Sequence, residues 1–180
     1  MVEVKNRKRL TDNIEFPPYA FLPGKNTHPN KSGGHSFGKM DETPKPLKLQ
    51  DPFSSEEYLF SLDLYNYGYY WESHVGLEAL WNAALRTGVM GDFLKSLIKL
   101  GAAGVKGRLQ SEKAMLGHLE RALELFNLVK EKENFVAGFN LDELILYTKS
   151  LQEESSFYRG KALQEDTVLF PPLVPKRDIL

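Results

Sequence analysis

The densest run of chemically able side chains lies between Tyr69 and Trp81, Y-Y-W-E-S-H-V-G-L-E-A-L-W, where Glu72, His74 and Glu78 interrupt an apolar helical pattern. At about 100° per residue, Tyr70, Leu77, Leu80, Trp81 and Ala84 share one broad face. His74 and Glu78 fall at its edge, one turn apart. Such a pair can supply two metal ligands, or a general base with the carboxylate that orients it. Its plainer reading is a buried imidazole donating to a carboxylate so that both are satisfied. Glu72 instead lines up with Gly76, Ala79 and Ala83, a stripe small enough for a second helix to pack closely. There it is either a catalytic acid or half of a structural ion pair, with Arg86 and Arg108 as candidate partners. A charge left dry and unpartnered costs several kcal/mol, so each of these groups needs a partner.

Two more imidazoles, in His28-Pro29 and Gly33-Gly34-His35, sit where restricted and permissive backbone alternate, which suits side chains held at fixed positions. If residues 16–38 lie across the helices as a strap, His28 and His35 meet His74 and Glu78. That set of nitrogen and oxygen donors suits zinc, iron, nickel or manganese. The competing reading makes both histidines solvated loop residues. Tyr70, Trp71 and Trp81 are candidates for lining a ligand pocket, against the commoner role of aromatic core. If the chain is an enzyme, metal-assisted hydrolysis or oxidation fits best, the metal activating water and Glu72 or Glu78 acting as base. His118 reads as a core-edge residue. No phosphate-binding glycine loop, Gly-x-Ser-x-Gly elbow or His-Glu-x-x-His helix is present.

The elements that position these residues are helical. Residues 1–52 carry most of the prolines and no sustained period, so they read as an irregular arm. Within it Phe16, Tyr19, Phe21 and Leu22 alternate with Pro17, Pro18 and Pro23, as in an extended strap lying in an apolar groove. Asp41 to Leu49 reads as an exposed link able to move. Residues 53–155 form the bundle. Ser54-Ser55-Glu56-Glu57 is a capping box, and Asn66-Tyr67-Gly68 ends the helix it starts. The spacing predicts further helices over about 69–86, 92–108, 111–132 and 141–154, with Thr87-Gly88 ending the second. Gly101 and Gly104 on the third read as the mates of the Gly76, Ala79 and Ala83 stripe. Residues 156–180 form a tail with a short turn near Phe157 and a second proline-rich extended piece, Leu169 to Pro175. Strand signals are few.

A chain of 180 residues with 42% hydrophobic residues fits one domain with one core. Its 23 basic and 24 acidic residues nearly cancel, which argues against nucleic acid or an anionic membrane as partner. There is no cysteine, so disulfides, thiolate metal sites and a cysteine nucleophile are excluded. A cytoplasmic location is expected: the basic start (Lys5, Arg7, Lys8, Arg9) leads into Thr11-Asp12-Asn13 rather than an apolar stretch, and no run is long enough to span a membrane.

The string from Leu64 to Trp81 resembles the signature of a family of small helical proteins catalogued as domain of unknown function 309, Gly-x-Tyr-x-Glu-x-His-x-x-x-Glu-x-x-Trp. Gly68, Tyr70, Glu72, His74, Glu78 and Trp81 fit it, while the glutamate that follows the family's histidine is Val75 here. Phe93 to Val105 is similar to the family's second conserved block, so the resemblance covers roughly Tyr58 to Phe126. The strap is similar to an extension found in some members. The resemblance implies a helical bundle and, the family's role being unassigned, no activity. Gly68-x-Tyr70-x-Glu72-Ser73 and the stretch after His118 are also similar to fragments of tetratricopeptide repeats, but no 34-residue period returns. The chain is therefore expected to be an all-α, compact bundle of about five helices with proline-rich, irregular N- and C-terminal arms packed on it. Its function reads as a His/Glu metal or small-ligand site between strap and second helix, or as a non-catalytic interaction module in which those groups are structural. Dimerisation would use whichever apolar face the strap leaves open.

Overall fold

The computed structural model describes residues 7–39, 43–49, 51–158 and 167–177. Five helices follow one another, α1 (Glu56–Asn66), α2 (Tyr70–Ala83), α3 (Gly88–Arg108), α4 (Glu112–Lys130) and α5 (Leu141–Glu153), and each packs chiefly on the next in sequence. Among the described residues the fold is all-α apart from one hairpin that the sequence pattern did not announce, β1 (Phe135–Val136) antiparallel to β2 (Phe139–Asn140). Ala137 and Gly138 both have positive φ, the turn that matches the twist of a two-residue hairpin. The hairpin is anchored from below, because the buried Tyr58 hydroxyl donates to the Ala137 carbonyl at 2.9 Å.

Local chemistry explains most helix ends. Ser55 caps α1, its hydroxyl accepting from the Tyr58 N–H; Glu57 reaches that hydroxyl rather than the backbone N–H a full capping box would use. Asn140 caps α5 by accepting from Asp142 and Glu143. At the end of α1, Gly68 at φ 84° lets the Tyr69 N–H reach the Leu64 carbonyl and its own N–H reach Tyr65, closing a Schellman motif. The same pair of bonds closes α2 around Leu85 and α3 around Gln110, each forced to positive φ. Thr87-Gly88 therefore does not end α2; Gly88 opens α3. A leucine and a glutamine in the left-handed region cost about 1–2 kcal/mol each, which the packing of α2 and α3 must offset.

The core runs along α1 to α4. Tyr70, Leu77 and Leu80 of α2 are buried, as are Phe93, Leu97 and Leu100 of α3 and Leu119, Ala122 and Phe126 of α4. The glycines pair differently from the expected mating of stripes. Gly76 faces Ser61 of α1, whereas Gly101 and Gly104 receive the Tyr70 side of α2. The reason is size: the Tyr70 ring lies flat where a Cβ on Gly104 would be, so one bulky side chain uses the room that two small faces would have shared. The link also differs from expectation. Its Asp41 lies outside the described residues, but Leu47 is buried in the core cluster, so this end of the link is anchored. Ser155–Tyr158 forms the short turn after α5. Among the described residues no helix is long and apolar enough to cross a membrane.

The glycines give a signed test. Gly104→Ala drives a methyl into the Tyr70 ring and should destabilise by about 1–3 kcal/mol. Gly117→Ala, on the exposed side of α4 with open space around it, should stabilise by about 0.5–1 kcal/mol. Urea unfolding of the two variants checks the opposite signs; equal shifts would contradict this packing.

Candidate functional site

Strap and α2 meet at Glu72. Its carboxylate Oε1 accepts the Phe21 N–H at 2.8 Å and lies 3.2 Å from His35 Nε2, with both side chains only 7% exposed. An ionised carboxylate can only accept, so the imidazole presents its Nε2 proton to Glu72, while Nδ1 lies 3.0 Å from the Ser36 hydroxyl. Gly34 makes the approach possible: a Cβ there would overlap the backbone oxygens of His28 and Pro29, so only glycine lets the tight strap turn close. The partner of Glu72 is thus His35. Arg86 bonds Asn82 and covers the Trp81 ring, and Arg108 donates to the Gly68 carbonyl.

Beside this clamp runs a row of rings. Phe21, His28 and Trp71 meet edge to face with centroids 5.0–5.8 Å apart, and Trp71 stacks on His74 at 6.0 Å and 10°. Trp71 therefore separates His28 from His74. His28 Nδ1 accepts the Asn30 N–H, and His74 faces Glu78 across 3.9 Å, a loose contact with Glu78 half exposed. Among the described residues no three His, Cys, Asp or Glu side chains are grouped as a metal ion would need. The expected set His28, His35, His74 and Glu78 is split three ways: His35 goes to Glu72, His28 to the aromatic row and His74 to Glu78. The indole of Trp71 packs on both His28 and His74 and stands between them, while His35 is engaged by Glu72 and packs on Tyr19.

The expected pocket residues are also apart. Tyr70 is buried and its hydroxyl accepts the N–H groups of Leu169 and Phe170. Trp71 lies in the ring row, while Trp81 sits further along α2 with Arg86 and Lys95 over its ring. Of the catalytic candidates, Glu72 is enclosed by the strap and Glu78 faces outward.

Sequence reasoning missed two anchors on α1. Asp63, fully buried, accepts from the N–H groups of Leu10 and Thr11 and from the Thr11 hydroxyl at 2.7–2.9 Å, and pairs with Arg9 at 3.7 Å. Asn66 exchanges two hydrogen bonds with the backbone of Leu173. The signal was there: two polar residues three apart between Leu62, Leu64 and Tyr65, on a helix whose residues 61–66 are all buried.

Burial lowers the pKa of His74, with Lys99 adding to the effect and Glu78 and a hydrogen bond to the Ile98 backbone opposing it. Burial also lowers that of His118, helped by Lys99, Lys106 and His74 itself, so His118 lies within electrostatic reach of His74. The sign follows. Both groups hold protons less well folded than unfolded, so their contribution to stability is whole above the unfolded pKa of about 6.5 and is lost as pH falls through the lowered folded values. Urea unfolding of wild type and of His74→Gln/His118→Gln at about pH 7.5, 6.5 and 5.5 should show the acid-side loss reduced in the double variant. Identical pH slopes would refute it.

No curated protein and no solved structure matches the chain. A family model does, over about a third of its length, from within α1 to the first turns of α4. Residues 59–117, the stretch that holds Glu72, His74 and Glu78, match the model of the family described as Domain of unknown function (DUF309).

Proposed function

We propose that this chain is a non-catalytic helical interaction module, in which the His/Glu residues of strap and α2 fasten the strap to the bundle. The observation that supports this reading is the occupancy of Glu72. Its Oε1 serves the Phe21 backbone and the His35 ring together, inside the protein. A general acid or base must reach a substrate proton at about 2.6–3.2 Å, and at Oε1 that position is taken by the chain itself.

One observation favours the second reading, a metal or small-ligand site at the same place. Glu72 Oε2 is buried without a hydrogen-bond partner among the described residues. A zinc, iron, nickel or manganese ion, or a small donor, would satisfy it.

The readings predict different variants. Under the clamp, Glu72→Ala orphans the Phe21 N–H and should cost about 1–3 kcal/mol, with faster amide exchange over residues 19–36. Glu72→Gln keeps an acceptor and should restore most of that protection. Elemental analysis after incubation with divalent ions, on wild type and on His35→Ala and His74→Ala, checks the alternative. Stoichiometric metal lost in either histidine variant would sink the clamp-only reading.

A further inference from the structure

We infer that the cleft where the two arms meet over α1 binds a small soluble organic anion, a phosphate or carboxylate head on an apolar body. The cleft encloses about 490 Å³, within the usual range for small-molecule sites. Arg7, Lys8, Arg9 and Arg177 line it together with Phe53 and Leu59, and among the described residues its lining includes no acidic one. In a chain whose net charge is −1, four cations around one hollow are a local excess.

Among the described residues, Arg9 alone of the four is paired with a carboxylate. Arg9 pairs with Asp63, whose carboxylate is already engaged by Leu10 and Thr11. Arg7 donates to the Asn66 carbonyl, but its second terminal nitrogen, Nη2, is buried with no hydrogen-bond partner among the described residues. Arg177 lies over the Phe53 ring at 4.8 Å, a placement that leaves the guanidinium edge free to meet an anion. Lys8 is exposed. A head group against Arg7, Lys8 and Arg177 supplies acceptors where several donors converge, and a flat or aliphatic body fits against Phe53 and Leu59. The site shares no residue with the Glu72 clamp, so neither inference rests on the other.

Calorimetric titration of the full chain with phenyl phosphate tests it, with inorganic phosphate and benzyl alcohol as the head and the body alone. Phenyl phosphate should bind at least about tenfold tighter than either. Lys8→Glu/Arg177→Glu, at two exposed positions, should lower that affinity at least about tenfold while the urea midpoint stays in place. If that variant unfolds, Lys8→Gln/Arg177→Gln serves, with a smaller loss expected. No binding of phenyl phosphate at millimolar concentration, or equal affinity in a folded variant, would overturn the proposal. So would binding to phosphatidic acid vesicles alone, which would place the anion in a membrane.

Discussion

A backbone N–H buried without an acceptor costs about 1–3 kcal/mol, roughly what burying one Phe or Leu side chain returns. The two arms of this protein face that constraint directly, because they bury Phe21, Leu22, Leu169, Phe170 and Leu173 without forming helix or sheet. The Leu22 N–H is met within the strap by the Asn26 side chain, and the others by side chains of the first helical pair. Asp63 takes Leu10 and Thr11, Asn66 takes Leu173, Tyr70 takes Leu169 and Phe170, and Glu72 takes Phe21. Without those acceptors the gain from covering the core with the arms would be cancelled.

The same constraint recasts the residues that look reactive. Gly68 is required by a Schellman turn, Tyr70 by the C-terminal arm and the close approach of α3, and Glu72 by the strap. Each has a structural task that explains its type and its spacing. His74 is different. It stacks on Trp71 at one side, faces a half-exposed Glu78 on the other across 3.9 Å, and hydrogen-bonds the Ile98 backbone.

The helices were legible because their signals are local. Ser55, Asn140 and Gly68 carry the chemistry of their positions, and period 3.6 marked the buried faces of α2 and α4. The missed details were set by tertiary packing. Nothing in Leu85 or Gln110 announces a left-handed cap, and the two-residue strands are too short to alternate. At the site, the strap prolines and histidines and the acids of α2 were visible as types, but their pairing was not. Which carboxylate His35 reaches depends on a turn closed by Gly34 and on Trp71 standing between the other imidazoles, and both are three-dimensional facts. Asp63 and Asn66 were passed over because a polar residue within a buried helix gives no hint of what approaches it.

The cleft over α1 follows from the same anchoring. Arg7 and Arg177 are 170 positions apart in the chain, and they line one hollow because Asp63 and Asn66 hold the two arms at neighbouring points of a single helix. Gathering cations there works against folding, since like charges brought together repel and, among the described residues, only Arg9 has a carboxylate at hand. The arrangement persists because the arms are held by hydrogen bonds that are indifferent to that repulsion. An anion in the hollow would relieve it and would bind only the state in which both arms are docked. By linkage it would then tighten both arms at once, with a gain that grows with its concentration above the dissociation constant. The acceptors that stop the arms from peeling away are thus also what would let a ligand sense whether both are in place.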